Sequence, residues 1–109
     1  MPLTDFVHPR PQELTGLVAY QEGSVVSREV LRTPSGSLTV FAFAAGQGLS
    51  EHTAPFDATV LVLDGLARIT VGGAAHQVKA GELLVMPAGI PHALEAPERF
   101  KMLLIMLRG

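Results

Sequence analysis

Gly46-Gln47-Gly48-Leu49-Ser50-Glu51-His52-Thr53-Ala54-Pro55-Phe56-Asp57-Ala58 leads into the apolar stretch Thr59 to Leu63 and ends at Asp64-Gly65. A second segment answers it: Gly81-Glu82-Leu83-Leu84-Val85-Met86-Pro87-Ala88-Gly89-Ile90-Pro91-His92. Each carries one histidine after a glycine-led run. In the second, the fixed dihedrals of Pro87 and Pro91 around a permissive Gly89 predict a turn that sends His92 back across whatever space the strands enclose. The surrounding chain, from Val25 to Gly109, breaks into apolar runs of about five to eight residues divided by Gly, Pro, Asp or Ser. That is the punctuation of an all-β sandwich or barrel, and helical periodicity is absent.

Working outward, Val25 to Thr33 and Leu38 to Ala44 flank Pro34-Ser35-Gly36-Ser37, the composition of a hairpin turn. Thr59 to Leu63 and Ala67 to Val71 are expected as two strands divided by Asp64-Gly65-Leu66, and Gly72-Gly73 leads into another through His76 and Val78. Leu83 to Met86 and Phe100 to Leu107 complete the set. Residues 1–22 read as an irregular N-terminal arm with three of the eight prolines, and residues 23–109 as one barrel domain. Thr59 to Leu63 and Met102 to Leu107 are apolar at nearly every position, so both faces of these strands need cover. The expected cover is a second copy of the chain, making a homodimer; the alternative is that the arm covers this surface in a monomer.

With 109 residues and 48% hydrophobic content, one domain can bury a continuous core. The chain has no cysteine, which excludes disulfides and thiolate catalysis and fits a reducing cytoplasm. A net charge of −2 with no run of Lys or Arg gives no footprint for nucleic acid or an anionic membrane surface. No segment approaches the roughly 20 apolar residues of a membrane span, and the first ten residues lack a secretory pattern. Phosphate loops, nucleophile elbows and His-Glu-x-x-His pairs are likewise missing.

The two quoted segments resemble the paired signatures of the cupin family, Gly-x5-His-x-His-x3-Glu-x6-Gly and Gly-x5-Pro-x-Gly-x2-His-x3-Asn. Val62-Leu63-Asp64-Gly65 and Val78-Lys79-Ala80-Gly81-Glu82 extend the likeness, which covers about Val25 to Leu107. The chain looks like the small single-domain bacterial cupins, the conserved-barrel, RmlC-like group. That resemblance implies a jelly-roll barrel of six to eight antiparallel strands around a cavity. In metal-bearing members the motifs place three His and one Glu at a divalent ion. Here Ala54 stands for the second His, Ala58 for the Glu and Ala96 for the terminal Asn, so only His52 and His92 carry over.

Two readings of this pair follow. As metal ligands for one divalent transition ion (zinc, iron, manganese or nickel), His52 and His92 need a third donor, since catalytic zinc takes three protein ligands and non-haem iron two His and a carboxylate. Asp57, one residue before the family's Glu position, and His76 are the candidates, followed by Gln47 and Glu51. As cavity histidines, the two rings instead orient a small polar or partly apolar molecule without metal. Alternation places Ala54, Ala58, Val60 and Val62 on the wall with His52, facing Leu84, Met86, Leu94, Met102 and Leu104, with a Phe (41, 43 or 56) available to fill the space the alanines leave. His8 reads as an exposed histidine of the arm. The expected activity is capture of a small, partly apolar molecule. A metal-dependent oxygenase or isomerase is the alternative, and a ligand sensor without a DNA-binding half is a third.

Overall fold

A computed structural model describes residues 9–108, so His8 and the start of the arm lie outside the described residues. Turn-forming residues divide the rest into eight strands: β1 Val25–Thr33, β2 Gly36–Phe43, β3 Gly48–His52, β4 Asp57–Val71, β5 Ala74–Lys79, β6 Leu83–Met86, β7 His92–Glu95 and β8 Phe100–Leu107. All pairings are antiparallel, in the order β1-β2-β8-β4-β7-β3, with β5 and β6 also on β4. This is the expected all-β jelly roll.

The stretch expected to be two strands is one. β4 continues through Asp64-Gly65-Leu66, pairing β8 and β6 over its first half and β5 and β7 over its second. Its register against β8 shifts between Val62 and Asp64, and Gly65 takes φ +79°. An extra residue beside a left-handed glycine bends a strand without reversing it, so β4 can serve both sheets. Two further strands, β3 and β7, are short and carry the histidines at their ends.

Register sorts the interior into layers. Phe43 and Phe100, opposite each other and fully buried, stack with ring centroids 4.5 Å apart at the closed end. Above them lie Val62, Met102 and Phe41, then Leu84, Val60, Leu104 and Thr39, then Met86, Ala58, Met106 and Ser37. Size and apolarity fall from floor to rim, so the upper layers leave a hollow where the lower ones fill it.

The outer face of β1 and β2 has its own cluster, Val30, Val40 and Ala42, covered by Val18 with Leu14, Leu17 and Tyr20 of the arm, whose 3-10 turn is Leu14–Gly16. Tyr20 donates a 2.6 Å hydrogen bond to Asp64, and the Arg99 guanidinium and Lys101 ammonium lie over its ring at 4.5 and 4.9 Å. Burial and the Asp64 carboxylate both raise the Tyr20 pKa, so the phenol stays a donor. Residues 14–20 therefore lie on the barrel of their own chain and cover Leu63 and Leu103, two of the residues expected to need burial. Leu83, Val85 and Leu107 remain about half exposed (58%, 48% and 58%). Among the described residues no helix is long and apolar enough to cross a membrane.

Candidate functional site: a histidine pair at the mouth of an apolar cavity

His52 and His92 are direct cross-strand partners on β3 and β7. A regular β3 would turn His52 away from Leu49, three residues earlier, because side chains alternate. The register shift between Leu49 and His52 restores its direction, so both residues face inward beside Leu94 and His92. On the other side, the 87–91 turn is tied down at two points before it delivers His92. Gly89 N–H donates to the Ala54 carbonyl (2.9 Å), and Ala88 N–H donates to Asp57 Oδ1 (2.9 Å). Gly89 takes φ +76°, the left-handed value that the sequence reserved for it.

The rings meet edge to face with centroids 4.4 Å apart. His52 Nδ1 donates to the Ser50 carbonyl (2.7 Å) and His92 Nδ1 to the Ile90 carbonyl (3.2 Å). Those carbonyls place the ring proton of each neutral imidazole on Nδ1 and leave each Nε2 as an acceptor. The two Nε2 atoms stand 3.2 Å apart, so two lone pairs converge on one point. His92 is buried while His52 is exposed. Burial is the main cause that lowers the His92 pKa below its ordinary 6.5; the Ile90 carbonyl opposes this, and a charged His52 would add to it.

Behind the pair lies a cavity of ≈ 290 Å³. Its wall includes Ala54, Ala58, Met86 and Met102 as alternation expects, together with Leu94 and Leu104. Val60 and Val62 instead sit fully buried in the core. Leu49, Thr53, Pro55, Phe56 and Met106 also line the space: three belong to the β3–β4 loop and Leu49 depends on the β3 bulge, so strand parity does not mark these four, whereas Met106 shares the parity of Met102 and Leu104 on β8. The other candidate ligands lie elsewhere. Asp57 is exposed, its carboxylate engaged at the Ala88 amide. His76 opposes Ile69 on β5 and is exposed, with the parity of Val78 but outside the cavity lining. Gln47 lines a separate depression with Arg68 and Glu95, and Glu51 is exposed.

The pair suits half of a metal centre. Two nitrogens 3.2 Å apart subtend about 100° at a point one zinc–imidazole bond, about 2.05 Å, from each. The ligand count does not suit it: among the described residues no three His, Cys, Asp or Glu side chains cluster to hold an ion. The donor set thus falls short of a resident transition metal.

A single eight-stranded antiparallel sheet curled around an apolar cavity defines the jelly-roll class of folds. Residues 39–107 match the Cupin domain family model, and the chain belongs to the cupin family. It is similar over its whole length to a conserved protein of unknown function from Streptococcus pyogenes (37% identity, 96% of that chain, TM-score 0.92). A cupin superfamily protein from Desulfitobacterium hafniense is 30% identical over the full length of both chains, with TM-score 0.91. A cupin 2 conserved barrel domain protein from Leptotrichia buccalis is 45% identical over 86% of this chain, TM-score 0.84, and this chain covers 46% of that one. No functionally curated protein matches the sequence.

Proposed function

We propose that this cupin binds a small, largely apolar molecule whose single neutral donor, a hydroxyl above all, points from the cavity at the paired Nε2 atoms of His52 and His92. The observation that carries the reading is the pair of Nδ1–carbonyl hydrogen bonds, which leaves two facing acceptors without a proton to share. A ligand hydroxyl supplies that proton, and the apolar wall behind the pair receives the ligand's hydrocarbon body. The absence of cysteine supports a cytoplasmic setting.

Phenol and anisole separate donor from shape. Calorimetric titration at pH 7.5 is expected to give phenol an affinity about tenfold above anisole, equivalent to about 1.4 kcal/mol, and His92→Ala is expected to abolish that preference. The preference has a pH sense. His92 binds its proton below 6.5, and once protonated the pair fills its own gap with a shared proton, so phenol binding is full at pH 7.5 and declines as pH falls through the lowered His92 pKa. The same shift makes stability rise with pH over that window, because the unfolded chain, with its ordinary pKa, holds more protons there than the folded one. Equal affinities for phenol and anisole, or a His92→Ala protein that still distinguishes them, would reject the reading. A stoichiometric transition metal in protein purified without a metal column would replace it with the metal-dependent alternative.

We assign the half-exposed strip of Leu83, Val85 and Leu107 to contact with a second copy of the chain. Val85→Asp, an outward position, is expected to shift sedimentation from dimer to monomer while leaving the β-sheet circular dichroism intact; a wild-type protein that sediments as a monomer removes the assignment.

A further inference from the structure

The cavity does not end at its apolar wall. The layers that run through Val60 and Ala58 continue across β8 to β2 and β1: Leu104 is followed by Thr39 and Glu29, and Met106 by Ser37 and Arg32. These residues line a second hollow of ≈ 330 Å³, which shares Phe56, Leu104 and Met106 with the first. Along each layer the side chains pass from hydrocarbon to hydroxyl to charge. Core packing asks for the opposite. On the same two strands the outward residues Val30, Val40 and Ala42 are apolar and buried, while Ser27, Glu29, Ser37 and Thr39 face the barrel interior.

A bulge creates the charged end. Glu29 and Arg32 are three residues apart, a spacing that points side chains to opposite faces of a regular strand. The register shift between Glu29 and Leu31 brings both to the inner face, where Arg32 donates from Nε (2.8 Å) and Nη2 (2.7 Å) to Glu29 Oε2. The second guanidinium, Arg108, lies 5.2 Å from the centre of the Phe56 ring. A guanidinium against a ring face keeps its in-plane N–H donors for an anion. With two guanidiniums and one carboxylate, this compartment carries a net positive charge beside a nearly uncharged cavity.

We infer that the cavity and this compartment form one bipartite site for an amphiphilic acid: an apolar body carrying a hydroxyl at the histidine pair, and a carboxylate in the Arg32–Arg108 compartment, with Phe56 between them. The body and hydroxyl rest on the function proposed above; the acidic head is new and stands on the layers, the bulge and the charge. Its source is a small organic acid, since the compartment opens beside a cavity sized for one ring and a short chain.

The test uses the full chain, with 3-(4-hydroxyphenyl)propanoate, its methyl ester and 3-phenylpropanoate as calorimetric probes. The acid is expected to bind about tenfold more tightly than the ester, and Arg108→Gln to bring the acid down to the level of the ester. Equal binding of acid and ester to wild type overturns the acidic compartment. If His92→Ala still weakens both hydroxylated probes, the histidine reading survives that failure. Conversely, a preference for acid over ester with no gain of 3-(4-hydroxyphenyl)propanoate over 3-phenylpropanoate sustains the compartment and removes the role of the pair. Absence of saturable binding by all three probes overturns both.

Discussion

The double substitution Ala54→His with Ala58→Glu is expected to yield a protein that retains one divalent transition ion per chain through gel filtration. The wild type, with two imidazoles, is expected to lose any such ion. Both alanines line the same cavity as His52 and His92, so the new donors would enter the space toward which two lone pairs already point. Three His and one Glu meet the ligand number that zinc and non-haem iron require. Room is present, since the hollow measures ≈ 290 Å³ and its wall at these positions consists of methyl groups. The cost lies in the ion-free state. Ala58 is 3% exposed, and an ionised carboxylate buried there without a partner destabilises the fold by several kcal/mol. The variant should therefore melt below wild type without metal and regain about 2.7 kcal/mol of stability at a hundredfold excess of ion over its Kd. Elemental analysis and paired melting curves check both halves. A folded variant with no bound ion would mean that positions 54 and 58 do not share a focus with the histidines.

Gly65→Ala is expected to cost the fold a large part of its stability at 25 °C. Gly65 holds φ +79° at the bend of β4, where a side chain is strained whatever the space around it. Space is also lacking: a Cβ there would overlap the Arg99 carbonyl oxygen and come within 2.9 Å of the Phe100 Cα, both backbone groups of the paired strand. Neither can yield without breaking the β4–β8 ladder that holds Phe100 on Phe43. Conformational strain and backbone overlap together place the loss at about 4 kcal/mol or more, a large share of the stability of a small domain. Urea denaturation followed by circular dichroism measures it; a midpoint within error of wild type would mean that β4 can bend elsewhere.

These residues also mark how far the sequence could be read. Hairpin chemistry at Pro34-Ser35, the turn at Pro87 to Pro91 and the two histidines were visible, because each depends on local residue type. Asp64-Gly65 was visible as punctuation but not as a bend: a glycine at positive φ serves a reversal and a bulge alike, and only pairing with β8 distinguishes them. β3 and β7 escaped as strands for want of pattern. Gly48–His52 contains one apolar residue and His92–Glu95 spans four residues, so both are held by neighbours rather than by propensity. Asp57 illustrates the limit for side chains. Its position beside a family ligand suggested coordination, yet its carboxylate is engaged by an amide 31 residues away, a contact no local rule contains. The charged compartment was invisible for the same reason, since strand parity separates Glu29 from Arg32 until a bulge reunites them.

The fifteen-residue β4 has a kinetic consequence. Among the described strands it alone pairs with four others, and all four follow it in the chain, from β5 and β6 just downstream to β8 at the far end. Neither sheet can reach its final register until this ribbon is seated, and seating it requires closure of long loops before the contacts repay them. Assembly is then slow and all-or-none, with no half-barrel able to persist by itself.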